Sequence, residues 1–432
     1  MARPVSRRCH ATLLVVHRPV DVLELLRPGT NVIVPLANGE PTTVIDAMEA
    51  HADQLDGVRV HQMHALRDRP MMRGEFGDHL RHVSYFLSPV TRQYFAQGTV
   101  DFVPANFSEV PQLLRRLPDP LVLVAASPPD RHGFFSLGTN CDYVASMVGR
   151  APIFVEANRQ MPRTFGRTQV HISQVSGWCE ADYPLIAIPP VQPDEIDRAI
   201  GQQIAERIPN GATIQTGIGA IPNAVLTYLA DHRDLGVHTE LFSDGLMELV
   251  ERGVVNGVRK QLNRTKAVAT FALGSETLYS FLHENPAVEL WPVRYVNDPR
   301  IIGQEEDFAS INATLEVDLL GQCASESIGS RLFSGSGGQA DFARGAMYSK
   351  RGQGFIVVRS TTHDGTSRIV SQLRPGAVVT TMKNTVDKVV TEYGVAELRG
   401  HSVRERAKRL IAVAHPDARE RLESEAHDIG FV

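Results

Sequence analysis

The feature that most constrains this chain is its rhythm. Apolar runs of strand length alternate with amphipathic helical stretches from one end to the other. Asn31–Leu36, Leu121–Ala125, Pro152–Glu156, Ala212–Thr216, Ala267–Phe271, Phe355–Arg359 and Lys388–Thr391 read as strands. Thr42–Ala52, Glu195–Arg207, Asn223–Ala230 and Ser402–Val413 read as helices. That alternation is the signature of parallel strands joined through covering helices. Disordered, collagenous and coiled-coil folds fall away, since 43% of the 432 residues are hydrophobic and only 22% charged.

One segment interrupts the rhythm. Ile188-Pro189-Pro190-Val191-Gln192-Pro193 is a stiff connector, and Asp194 follows it as a helix cap. Two domains are therefore expected, 1–188 and 189–432. Each contains a strand, a glycine-bearing turn and a proline at the first helical position, in NVIVPLANGEP (Asn31–Pro41) and ATIQTGIGAIP (Ala212–Pro222). The expected fold is α/β: two similar open parallel-sheet domains with helices on both faces and a cleft between them at the strand ends.

Charge and cysteine usage narrow the function. The 44 Lys+Arg balance 49 Asp+Glu to a net −5, which argues against a nucleic-acid binder. Cys9, Cys141, Cys179 and Cys323 stand at no metal-binding spacing. His61-x-x-His64 lacks a third ligand, so no metal is expected and structural or solvent-facing roles are assigned to these histidines. Ser127-Pro128-Pro129-Asp130 with His132 is not a nucleophile elbow. The apolar run Ala11–Val16 is stopped by His17-Arg18-Pro19, too short for a signal core, and no stretch approaches the roughly 18–20 apolar residues of a membrane span. A cytoplasmic protein with no membrane partner is the expectation.

Four segments could carry chemistry. In TGIGAIPN, Gly217 and Gly219 let backbone amides point at an anion or oxyanion, with a helix starting near Pro222 behind them; a plain tight turn is the alternative. In VHTELFSDG, Glu240 stands where a short strand would end, placed to act as nucleophile or base, unless it is one more solvated acid. In SGSGGQAD, Gly335, Gly337 and Gly338 permit close backbone approach to a ligand, where a flexible linker is the alternative. In RYVNDP, Asn297 could orient a substrate carbonyl, or merely close an Asx turn before Pro299. Gly217-x-Gly219 with Glu240 about 20 residues on also mimics a dinucleotide fingerprint. Against that, Pro222 replaces the third glycine and SGSGGQAD is left without a task.

TGIGAIPNAVL, HTELFSDG, YVNDPRIIG, SINATLEVDLLGQ, SGSGGQADFARGA and VVTEYGVAELRG, with SPPDRHGFFSLGTNCDYV in the first half, together resemble the acetyl-CoA hydrolase/transferase family. The likeness is greatest to its class I CoA-transferases typified by 4-hydroxybutyrate CoA-transferase. The resemblance implies two α/β domains around an active site that moves CoA between carboxylic acids, with coenzyme A entering as acyl-CoA substrate. It implies Glu240 as the catalytic glutamate, the amides of Ile218 and Gly338 as the oxyanion hole, and Asn297 and Glu392 as active-site supports. CoA would lie along Gly217, Ile218, Gly219, Ala220, Ile221, Leu315, Gly338 and Lys350. Acyl-CoA and small carboxylates are then the partners, with self-association as a dimer or tetramer. The segment Ile369–Gly376 departs from the family's pattern and bears on the acceptor acid. The same residues would serve an acyl-CoA hydrolase if water reached the intermediate.

Overall fold

The computed structural model describes residues 16–217 and 219–432. Its first half is built on a seven-stranded sheet of β1 (Asn31–Ile33), β2 (Val58–Gln62), β3 (Leu80–Ser84), β4 (Val100–Phe102), β5 (Pro120–Ala126), β6 (Ile153–Asn158) and β7 (Gly177–Ala181). The order is β7-β6-β5-β1-β2-β3-β4, parallel throughout. The second half is built on β8 (Thr213–Thr216), β9 (Gly236–Val237), β10 (Phe308–Ala313), β11 (Gln353–Val357), β12 (Lys388–Thr391) and β13 (Gly394–Glu397). Its order is β9-β8-β10-β11-β12-β13, parallel except for the hairpin β12–β13 at one edge.

Continuous apolar strands bury both faces of a sheet, and alternate residues enter different cores. Along β5, Val122 and Val124 join one apolar cluster while Leu121 and Leu123 join another. The second cluster also takes Val44, Ile45 and Met48 from helix α1 (Thr42–Ala50). In the second half, Ile214 of β8 and Ile311 of β10 pack with Ile200 and Ile204 of α2 (Glu195–Ala205) and Val225 of α3 (Ala220–Tyr228). Opposite them, Ile356 and Val389 pack with Leu410 of the C-terminal helix Val403–Ala412.

The expected elements shift in detail. Asp194 caps α2, accepting from the amide of Asp197 at 3.0 Å. Neither proline occupies the first helical position: Pro41 immediately precedes α1, and Pro222 is the third residue of α3, which begins at Ala220. The first-turn amides lack helical partners anyway, so proline fits at any of these places. The run Ala267–Phe271 is two strands, because Ala267–Ala269 pairs with Val288–Leu290 and Phe271–Ala272 pairs with Leu241–Phe242. Phe165–Gly166 of the first half also pairs with Glu289–Leu290 of the second, so the halves share hydrogen bonds.

Candidate active site at the meeting of two sheets

In open parallel sheets ligands gather beyond the C-terminal strand ends, where the strand order reverses. Here both sheets turn such ends toward one cavity of about 170 Å³. Leu36, Met63, His64 and Phe86, just beyond β1, β2 and β3, line it from the first half, together with Phe107. The second half contributes Gln215, Thr216 and Gly217 at the end of β8, Asn312 in β10, Glu240 three residues past β9, and Gly338.

Glu240 is fixed through its backbone and its carboxylate. Its carbonyl accepts from the amides of Thr270 (3.0 Å) and Phe271 (3.2 Å). Two residues upstream, the buried His238 hydrogen-bonds through Nε2 to the carbonyl of Val296 at 2.8 Å, holding this strand to the short helix Val293–Val296. Asn297 ends that helix and donates from Nδ2 to Oε2 of Glu240 at 2.7 Å. Asp298, not Asn297, caps the next turn, accepting from the amide of Arg300, so the Asn297 amide is free for this contact. Its Oδ1 is buried without a partner.

Gly338 precedes the helix Gln339–Tyr348. A Cβ there would collide with the Glu240 carboxylate and with Nδ2 of Asn297, so the position requires glycine for close approach. Its amide finds no protein acceptor among the described residues, and it stands at the positive end of a ten-residue helix. Gly335 makes a second approach: a Cβ there would lie 2.9 Å from the carbonyl oxygen of Tyr85. The amide of Phe107 donates to the carbonyl of Gly337 at 2.9 Å, stitching the glycine segment to the first half. This segment is anchored, not a linker.

The electrostatics make the Glu240 proton harder to lose. Burial raises the Glu240 carboxyl to about 7, opposed by the Asn297 hydrogen bond and reinforced by Asp341. Asp341 is itself raised to about 7, chiefly by burial, against hydrogen bonds from the amide (3.1 Å) and hydroxyl (2.8 Å) of Ser108. His64 is pushed down to about 4 by burial and by Arg92, so its imidazole is neutral.

The other sequence-derived candidates are dispersed. Gly217 lines the cavity; Gly219, with φ 124°, begins the helix whose first residues are Ala220 and Ile221; Ile218 lies outside the described residues. Leu315, half-buried, donates its amide to the carbonyl of Ala324 and is not in the lining. Lys350 is exposed and pairs with Glu306 at 3.1 Å. Glu392 sits at the β12–β13 turn with its carboxylate held by the amide (3.0 Å) and hydroxyl (2.5 Å) of Ser360. Cys9 also lies outside the described residues. Among the described residues no group of three or more His, Cys, Asp or Glu side chains could hold a metal, and no helix is long and apolar enough to cross a membrane.

Sequence reasoning missed the first-half wall. Of its members, His64 was read as structural or solvent-facing, whereas its half-buried ring lines the cavity against Phe86. The available signal was position: Leu36, Met63 and Phe86 each follow a parallel strand within three residues.

A parallel α/β chain with a carboxylate between two glycine segments at joined strand ends has the layout of an acyl-transfer enzyme. Residues 15–190 match the acetyl-CoA hydrolase/transferase N-terminal domain and residues 274–426 its C-terminal domain. The succinyl-CoA:cyclohexane-1-carboxylate CoA transferase of Geobacter metallireducens is 46% identical, over 93% of this chain and 92% of its own length. The 4-hydroxybutyrate coenzyme A transferase of Clostridium kluyveri is 42% identical, over 92% and 93% respectively. The crystal structure of RipA from Yersinia pestis superposes with a TM-score of 0.92 at 36% identity, covering 96% of this chain and 98% of that one. The chain belongs to the acetyl-CoA hydrolase/transferase family.

Proposed function

We propose that this protein is a CoA-transferase that exchanges CoA between an acyl-CoA and a free carboxylic acid, with Glu240 carrying the intermediate. The observation that carries the reading is the Glu240 carboxylate, hydrogen-bonded by Asn297 at 2.7 Å and so close to Gly338 that a Cβ there would collide with it. In its ionised form this carboxylate attacks the thioester carbonyl. The C–S bond breaks, CoA leaves as thiolate, and a mixed anhydride remains. The thiolate then attacks the glutamyl carbonyl of that anhydride, releasing the first acid as carboxylate and leaving a glutamyl-CoA thioester. A second carboxylate reverses the sequence and departs as its CoA ester. Covalent catalysis divides one exchange into easier steps, and each tetrahedral oxyanion needs a donor where charge develops. The Gly338 amide and the turn containing Ile218 supply it in this reading.

CoA is placed along Gly217, Ile218, Gly219, Ala220, Ile221, Leu315, Gly338 and Lys350. Asn297 orients Glu240, and Glu392, held by Ser360, is assigned as a further active-site support. The division into domains at 188/189, assembly into a dimer or tetramer and a cytoplasmic location belong to the same proposal. Hydrolysis would use the same groups; the two enzymes named above are both transferases, which favours transfer. A dinucleotide-binding role gives Asn297 and Gly338 nothing to do.

The test is mass spectrometry of the protein mixed with an acyl-CoA. A CoA adduct on the peptide containing Glu240, cleaved by hydroxylamine, is expected, with exchange at least about 10⁴-fold slower in Glu240→Gln. Normal turnover in that variant overturns the assignment. Thiol release independent of added carboxylate would instead identify a hydrolase.

A further inference from the structure

We infer that the acyl group handled here is an uncharged, apolar body of about six carbons, a ring or a branched chain, gripped by side chains of the first half. The inference rests on the transfer reading and adds to it the substrate class. Its ground is the shape and chemistry of the cavity beside Glu240. At about 170 Å³ it is slightly larger than the roughly 150 Å³ cavity, lined by Leu, Ile and Phe, that accepts a benzene ring. Leu36, Met63, Phe86 and Phe107 form its first-half wall, and Phe271, Leu273 and Phe342 continue it. Leu36 and Phe107 are at most 1% exposed and belong to the first-half core, so this wall is firm.

Among the described residues the lining contains no lysine or arginine, and Glu240 is the only carboxylate in it. His64 is neutral, because burial and Arg92 disfavour its proton. Most polar side chains of the lining are engaged elsewhere, Gln215 and Asn312 exchanging hydrogen bonds at 3.2 and 3.0 Å and Gln339 donating to Ser325 at 2.8 Å. That leaves the Thr216 hydroxyl, a small neutral group, without a partner among the described residues. A second carboxylate on the substrate would therefore be desolvated beside Glu240 without a counter-charge. An acetyl group has the opposite fault: it leaves most of the apolar surface uncovered. Each methylene added against such a wall is worth about 0.8 kcal/mol, or nearly fourfold. The wall is also registered to the nucleophile, since Phe107 donates its amide to Gly337, next to Gly338.

The experiment measures kcat/KM for a series of acceptor acids with butyryl-CoA as fixed donor. Cyclohexanecarboxylate should exceed acetate by at least about 50-fold, and hexanoate should exceed adipate, its isosteric diacid, by at least about 100-fold. In Phe86→Ala the optimum should move to larger acids, because that half-buried ring closes one side of the cavity. Acetate matching cyclohexanecarboxylate, adipate matching hexanoate, or an unmoved optimum in Phe86→Ala each overturns the inference. None of these touches the transfer reading, which is decided separately by the CoA adduct on Glu240, the turnover of Glu240→Gln and the dependence of thiol release on an acceptor acid.

Discussion

The two halves carry nearly the same turn and use it differently. After β1, Leu36–Pro41 is packed shut. A Cβ on Gly39 would lie 2.5 Å from Cβ of Pro35. Asn38 donates to the carbonyl of Ile186 and the hydroxyl of Tyr279, each at 2.9 Å. Glu40, 1% exposed, meets Arg69 at 2.7 Å and accepts from Gln62 at 2.9 Å. After β8, a Cβ on Gly217 would meet nothing within 4 Å, and one on Gly219 only Cδ of Pro222, at 3.9 Å. A strand, a glycine and a proline define a backbone path. Whether the path serves packing or a ligand is decided by what fills the space beside it.

The comparison can be broken most forcefully at Arg69. Its guanidinium is 4% exposed and is shared by Glu40, Asp46 and Glu49. Arg69→Met leaves Glu40 buried without its cation, and a loss of about 3–5 kcal/mol is expected in urea denaturation. A loss below 1 kcal/mol would mean the first turn is not held by this pair. On the other side, Gly338→Ala forces a methyl onto the Glu240 carboxylate and should lower kcat by about 10²–10³-fold. Near-normal kcat there would remove the close approach from the chemistry.

A matched pair of substitutions then sharpens the contrast. Gly39→Ala drives a methyl into a proline ring and should cost about 1–3 kcal/mol of stability, read as a lower Tm, while the KM for acyl-CoA is kept. Gly217→Ala enters open space and should leave stability within about 0.5 kcal/mol of wild type, while raising the KM for acyl-CoA severalfold. If both variants lost only stability, the second turn would be as structural as the first.

What the sequence made legible follows the same division between local and distant. Lys388–Thr391 is a strand as expected, and Asp194 caps its helix, because both depend on neighbours in the chain. Glu240 was recognisable as a residue at a strand's end. Asn297 was not separable from an ordinary Asx turn: only the structure shows that Asp298 takes the cap and leaves Asn297 for the carboxylate. Leu36 and Phe86 carried only the weak signal of standing just past a strand, and Phe107 carried none. Their role depends on how one sheet is set against the other, through contacts such as Phe107 to Gly337 and Ser108 to Asp341 that span more than two hundred residues. Nor could the sequence show that the exposed Lys350 ammonium pairs with Glu306, forty-four residues away.

The smallest effect tests the one acidic group placed behind the nucleophile. Asp341 is buried, held by Ser108 and crowded electrostatically by Glu109, and its negative charge raises the Glu240 carboxyl. Attack on a thioester needs Glu240 ionised, so kcat/KM in wild type should rise with pH through about 7. Because the two carboxyls interact, that limb belongs to the pair. Asp341→Asn removes the repulsion, so the Glu240 carboxyl should lose its proton at lower pH and the acid limb should move down. Because Asp341 itself titrates near 7, the gain is confined to the limb, at most about severalfold near pH 7, and the two enzymes converge well below it, where Asp341 is protonated, and above pH 8. The sign also separates charge from structure: a merely loosened Ser108 contact would lower the rate at every pH and leave the limb where it was.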